Sequence, residues 1–129
     1  MLNDPLSNTL SAINNAERRG KKTCSVKPSS KLIKNVLSLL KDNHYIGEFR
    51  EVQDTRGGVL EIQLLGAVNS CGAIKPRSTV RKEDFEKWEK RHLPAKDFGI
   101  LIVSTPKGLM AHTEAKRLGL GGALMAYCY

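Results

Sequence analysis

Aromatic rings are scarce in this chain, with one tryptophan, three tyrosines and three phenylalanines making up 5% of 129 residues. A protein that holds single strands mainly by stacking bases on rings needs more of them, so sequence-independent stacking is not expected to dominate. Cysteine is scarce as well. Cys24, Cys71 and Cys128 are odd in number and far apart, which argues against a disulfide framework or a zinc site. His44, His92 and His112 are scattered without metal-ligand spacing. A reducing cytoplasm is the expected compartment, with no metal and no cofactor. No apolar run approaches bilayer length. The opening residues, Met1-Leu2-Asn3-Asp4-Pro5, lack a basic start followed by an apolar core, so no secretory leader is expected. Acid is the minority charge: 13 Asp and Glu stand against 21 Lys and Arg, a net charge of +8. The isoelectric point near 9.6 points to a polyanionic partner. Hydrophobic residues are 40% of the chain, enough for a packed core and against wholesale disorder. The length suits one ordinary domain or two small ones.

The most informative stretch is residues 99–108, Gly-Ile-Leu-Ile-Val-Ser-Thr-Pro-Lys-Gly. Ile100 to Val103 reads as a buried strand, too short for a helix. It stops at once in small polar residues. Pro106 removes a backbone donor and Gly108 permits a positive φ, so Ser104 and Thr105 are held at a strand end on a tight turn. Functional residues tend to sit on loops placed by a rigid scaffold, although a plain strand and turn would read the same way locally. The turn has little core to lose, so truncating either hydroxyl is expected to spare folding.

Asn3 or Asp4 is placed to cap a first helix beginning near Pro5. Leu6, Leu10 and Ile13 form its apolar stripe, and Gly20 should end it. Residues 23–27 alternate as a short strand. Pro28, Ser29 and Ser30 then lead into a second helix, striped by Leu32, Ile33, Val36, Leu37 and Leu40. Between Glu17 and Lys34 there are seven bases and one acid, +6 of the total +8. Arg18, Arg19, Lys21, Lys22, Lys27, Lys31 and Lys34, with the neutral donors Ser29 and Ser30, are read as a phosphate-binding face. Ordinary solvated lysines are the bland alternative.

Residues 46–53 and 59–65 read as an antiparallel hairpin with Leu60, Ile62 and Leu64 on its buried face. Residues 41–61 carry a net −2, a side expected to face away from a polyanion. A boundary is placed in residues 66–76, rich in Gly, Asn, Ser and Pro, giving an N-terminal α/β domain over 1–66 and a smaller β-rich domain over 67–129. In the second part, residues 82–91 form a charged helix with Phe85 and Trp88 inward. Residues 75–96 hold eight bases and four acids, read as intrahelical pairing and solvation. Thr113 is expected to cap a short helix over 114–118 that Gly119 terminates. A terminal strand follows, with Tyr127 and Tyr129 on one face. The fold class is α+β: α-β-α-β-β, then a smaller β-rich part with short helices.

Catalytic patterns are weak. Ser104 has no nucleophile-elbow glycines and no His or Asp at a suggestive spacing. Gly119, Gly121 and Gly122 hint at a phosphate loop, but they follow a helix and lack the Gly-Lys-Ser/Thr ending. A small enzyme holding a phosphorylated ligand at that turn is one alternative. A DNA-binding protein is another, although both long helices spend a face on the core.

In order along the chain, several segments are similar to one family. They are Asp4-Pro5-Leu6 with Ile13-Asn14-Asn15-Ala16, Ser30-Lys31, Gly47-Glu48-Phe49, Cys71-Gly72-Ala73-Ile74-Lys75-Pro76-Arg77, Glu86-Lys87-Trp88, Leu93-Pro94, Phe98-Gly99, and Gly121-Gly122 before the aromatic end. Ser104-Thr105-Pro106-Lys107-Gly108 is similar to that family's Ser-Thr-Ser-x-Gly loop. Singly these are weak, and their order and coverage are what is specific. The chain resembles protein eight of the small ribosomal subunit, in its archaeal and eukaryotic branch. Pro106 departs from the family's second serine and removes one hydroxyl.

The resemblance implies a primary RNA-binding protein of the ribosome, working in the cytoplasm as a monomer when free. It implies direct binding to the central domain of small-subunit ribosomal RNA, contact with other small-subunit proteins, and at times repression of its own messenger RNA. Ser104, Thr105, Lys107 and Gly108, with Gly121 and Gly122, are then the residues that read an unpaired adenine in an irregular helix. Physical chemistry agrees with such a reader. Side chains cannot read the deep major groove of A-form RNA, so specificity rests on groove shape, 2′-hydroxyls and displaced bases.

Overall fold

The computed structural model describes residues 5–26, 31–52, 58–74, 79–81, 83–94 and 98–129. Its contacts divide the chain into two units, Met1–Cys71 and Gly72–Tyr129. The expected caps at Asn3 or Asp4, the helix entry at Pro28 to Ser30 and the hairpin tip fall outside the described residues.

The first unit runs α1 (Pro5–Arg18), β1 (Thr23–Val26), α2 (Lys31–Asp42), β2 (Ile46–Val52), β3 (Val59–Leu64). This is the expected order, and its cause is periodicity. Leu6, Leu10 and Ile13 recur at helical spacing and are buried, as are Ile33, Val36, Leu37 and Leu40 on α2. Leu60, Ile62 and Leu64 alternate along β3 and are buried too. The sheet order is β1-β3-β2, so β3 is central and β1 is an edge. Helix α1 packs on β1 and α2 on β2. A bulge between Ile46 and Phe49 interrupts the β2–β3 register. On the other face Arg50 makes two hydrogen bonds to Glu61, at 3.0 and 2.9 Å.

Helix α1 closes with paired bonds, Gly20 N–H to the Glu17 carbonyl and Lys21 N–H to the Ala16 carbonyl. Helix α2 closes the same way around His44, which takes φ 65° without being glycine. Residues 67–71 stay with the first unit. The Val68 N–H donates to Glu17 Oε2 at 2.9 Å, and the buried Cys71 thiol donates to the Leu10 carbonyl at 3.2 Å.

The second unit contains α3 (Phe85–His92), α4 (His112–Leu118) and a five-stranded sheet. Its strands are β4 (Cys71–Ala73, whose first residue is the last of the first unit), β5 (Thr79–Val80), β6 (Ile100–Thr105), β7 (Gly108–Ala111) and β8 (Gly122–Cys128). The order is β4-β8-β6-β7, with β5 also on β8. The core joins Val80, Phe85, Leu101, Val103, Met110 and Leu124, with Trp88, Tyr127 and Tyr129 packed against it. Three details correct the sequence reading. Strands β4 and β5 were not anticipated. Helix α3 begins at Phe85 rather than 82. Helix α4 begins at His112, so Thr113 lies inside it and Ala111 holds the cap position with no side-chain cap bond.

Candidate nucleic-acid interface

Strands β6 and β7 form a tight hairpin in which Thr105 pairs with Gly108 and only Pro106 and Lys107 turn the corner. Gly108 has φ +115°, a conformation that a side chain strains. The Thr105 hydroxyl donates to the Gly108 carbonyl at 2.8 Å and accepts from the Lys107 N–H at 3.2 Å. Thr105 is 8% exposed. Its hydroxyl therefore clasps the hairpin, and the expectation that its truncation would spare folding is corrected. The cause is geometric: a strand-end threonine facing inward satisfies turn groups that would otherwise be left unbonded.

Ser104 differs. It is half-buried, and its hydroxyl has no partner among the described residues. Strand β8 crosses this same end of β6, with Ser104 in register with Ala123. A Cβ on Gly122 would lie 2.1 Å from the Ser104 carbonyl oxygen, so only glycine lets the two backbones meet. The fold thus gathers Ser104, Thr105, Lys107, Gly108 and Gly122 at one corner. Gly121 adjoins them in the chain, and Lys107 is exposed at the tip.

A buried polar network lies further back along β6. The Leu101 N–H donates to His112 Nδ1 at 3.0 Å, which leaves the neutral ring's proton on Nε2. That nitrogen is 3.3 Å from Glu89 Oε1, which also pairs with the Lys116 ammonium. Glu89 is 4% exposed and His112 fully buried. The network ties α3 and α4 to the strand that carries Ser104. Sequence reasoning missed it by treating the charges of α3 as solvated, although Glu89 is one turn beyond the inward-facing Phe85.

Gly119 sits at φ 69° as the C-cap of α4. The Gly119–Gly122 turn therefore leaves a helix C-terminus, whose free carbonyls and negative dipole end repel phosphate. The phosphate-loop alternative loses its physical basis.

In the first unit, Arg18, Arg19, Lys21, Lys22 and Lys31 are exposed and make no ion pair among the described residues. The Lys34 ammonium pairs with Glu51 on β2. Lys27, Ser29 and Ser30 lie outside the described residues. Arg18 to Lys22 gather where α1 ends and β1 begins, whereas Lys31 opens α2 after β1 has run away from that end. Among the described residues these cations thus stand at the two ends of β1. A groove of about 450 Å³ at the first of these ends is lined by Asn15, Arg19, Lys21, Thr23 and Ser25.

The scarce rings gather in the second unit. Trp88 stacks on His92, His92 on Tyr127 and Tyr127 on Tyr129, with centroids 6.1, 5.8 and 6.1 Å apart. Arg91 covers Trp88 at 4.8 Å. Ring faces taken up by each other and by a guanidinium are not open to bases. His92 has its pKa lowered by burial and, less strongly, by Arg91.

No described helix is long and apolar enough to cross a membrane. Among the described residues no cluster of His, Cys, Asp or Glu could hold a metal ion. The family model for ribosomal protein S8 matches residues 4–129, nearly the whole chain. The antiparallel sheets and the helices among the described residues agree with that match. This chain belongs to the ribosomal protein S8 family, structural RNA-binding proteins of the small ribosomal subunit.

Proposed function

We propose that the chain binds the central domain of small-subunit ribosomal RNA directly and reads an unpaired adenine with the β6–β7 corner. The observation that supports this most is the Ser104 hydroxyl. It sits at a strand end with no partner among the described residues, on the residue whose backbone carbonyl meets the bare backbone of Gly122 and three positions before the exposed Lys107. A hydroxyl can both donate to and accept from a base edge or a 2′-hydroxyl, and a short side chain on a strand end loses little entropy on binding. Gly121 and Gly122 offer backbone in place of side chains, which lets RNA approach closely. Thr105 contributes by holding the turn. Arg18, Arg19, Lys21, Lys22 and Lys31 supply phosphate contacts, which position the protein without specifying sequence. Central-domain binding helps that region of RNA assemble, next to other small-subunit proteins in the cytoplasm. The same corner would grip a matching looped segment of the chain's own messenger RNA.

The test is a titration at one fixed salt concentration with three ligands. These are a short internally looped RNA bearing the unpaired adenine, the same RNA without it, and duplex DNA of matched length. The looped RNA should bind tightest, one protein per RNA, with no change on adding a chelator. Equal binding of the duplex DNA, or a need for zinc, would overturn the reading.

A further inference from the structure

We infer that the free edge of β1 takes an extended acidic segment of a partner protein as an added antiparallel or parallel strand. The register identifies the available groups. The Leu64 N–H donates to the Lys22 carbonyl at 2.8 Å, so Lys22 and Leu64 are a hydrogen-bonded pair. Antiparallel pairs alternate, hence Cys24 with Ile62 and Val26 with Leu60 are also bonded pairs. Thr23 and Ser25 fall between them. Their N–H and C=O groups point away from β3, and among the described residues no strand pairs with β1 on that side.

An edge that presents alternating donors and acceptors is a template for another peptide backbone. It fits phosphate poorly, because half of its groups are carbonyl oxygens. The room beside it is built. The groove there is walled by α1 through Ala12 and Ala16, one turn apart, with Asn15 between them. Two methyl groups at that spacing leave a slot for alternate side chains of an added strand. Arg19 and Lys21 line the same groove, both exposed and without an ion pair among the described residues, so the fitting segment carries acids. The other edge of the sheet offers no such match, since β2 is bulged and its Glu48 and Glu51 already pair with Lys41 and Lys34. RNA and the peptide would share Arg19 and Lys21, but only the peptide needs the edge amides.

The experiment uses the full chain and a synthetic heptapeptide, acetyl-Glu-Val-Glu-Val-Glu-Val-Glu-amide. Amide exchange is followed by NMR with and without saturating peptide. In the free protein the Thr23 and Ser25 amides should exchange quickly. With peptide they should slow about tenfold or more, as strand addition requires. A control peptide with proline at the central position should give no such protection, because it cannot complete the ladder. Arg19→Glu should weaken the heptapeptide about tenfold, equivalent to 1.4 kcal/mol. Ser25→Pro removes an outward N–H and no sheet bond, so it should abolish peptide binding and leave the looped-RNA titration unchanged. Unprotected edge amides, or equal binding of the proline peptide, would overturn the inference in favour of diffuse charge attraction. Loss of RNA binding in Ser25→Pro with an unchanged melt would overturn it in favour of RNA on this edge. The exchange readout stands even if Ser25→Pro fails to fold.

Discussion

Gly122 meets the Ser104 carbonyl so closely that a Cβ at this glycine would begin 2.1 Å from the oxygen. Gly122→Ala should therefore push β8 off the end of β6, at a cost of about 1–3 kcal/mol or more for overpacking. The looped RNA should weaken in the same variant, since the displaced backbone is part of the reading corner. Gly108→Ala is the contrasting case. Nothing lies within 4 Å of its Cβ, so its cost is the positive φ alone, about 1–3 kcal/mol. Thermal melts of both variants, paired with RNA titrations, check this. A Gly122→Ala protein that melts like wild type would refute the close approach.

Ser104 and Thr105 are adjacent, yet their truncations should part company. Ser104→Ala removes a hydroxyl with no partner among the described residues, so stability should move by no more than about 0.5 kcal/mol. Binding to the cognate RNA should fall by about 1–3 kcal/mol, and discrimination against the RNA lacking the adenine should vanish. Thr105→Ala removes the hairpin clasp and should lower stability by about 1 kcal/mol per lost bond. Thr105→Ser keeps the hydroxyl and should restore most of that loss. If Thr105→Ala melts like wild type while Ser104→Ala does not, the roles are reversed.

That contrast also marks where sequence reasoning stops. Hydrophobic period alone carried α1, α2, β2 and β3, because Leu6, Leu10 and Ile13 or Leu60, Ile62 and Leu64 repeat within a few residues. Strands β4 and β5 have three and two residues, and they are strands only because β8, some fifty residues on, pairs with them. The Thr113 cap failed because His112 is drawn into the core by the Leu101 N–H, which starts the helix early. The Ser-Thr corner was visible as residue types. Which hydroxyl faces in depends on the strand's twist and register. Likewise Lys34 looked like its neighbours until β2 brought Glu51 to it.

The salt dependence of RNA binding should separate these lysines. Lys21→Ala and Lys22→Ala should each flatten the log–log slope by about 0.7–0.9 if each touches one phosphate. Lys34→Ala should leave the slope unchanged, because its charge is already matched by Glu51. Slopes measured for the looped RNA across a range of salt concentrations decide the point. Flattening by Lys34→Ala equal to that of Lys21→Ala would show that the ion pair opens on RNA.

Glu89 should matter to folding more than any surface acid of α3. Glu89→Ala takes the carboxylate from beside His112 Nε2 in the core, at a cost of about 1–3 kcal/mol. Lys116 is partly exposed and can turn to water, so the loss falls mainly on the histidine. Glu89→Gln keeps an acceptor and should recover part of the loss. Glu86→Ala, on the exposed side of the helix, should change little. Denaturant melts at neutral pH test the ranking, and equal effects of Glu86→Ala and Glu89→Ala would contradict it.

His92 gives the second unit a pH dependence of definite sign. Burial, then Arg91, lowers its pKa below the ordinary 6.5. The folded protein therefore binds its proton less readily than the unfolded chain does. Stability is fully present above 6.5 and is lost as pH falls from there toward the folded pKa, below which this contribution stays flat. The ring lies between Trp88 and Tyr127, and its Nε2 is buried with no hydrogen-bond partner among the described residues, so protonation charges a ring whose burial disfavours the charged form. His92→Phe keeps a flat ring in the stack and removes the titration. The variant should melt at a more constant temperature between pH 7 and pH 5 than the parent. Parallel melting profiles of the two proteins over that range would show that His92 does not carry the dependence.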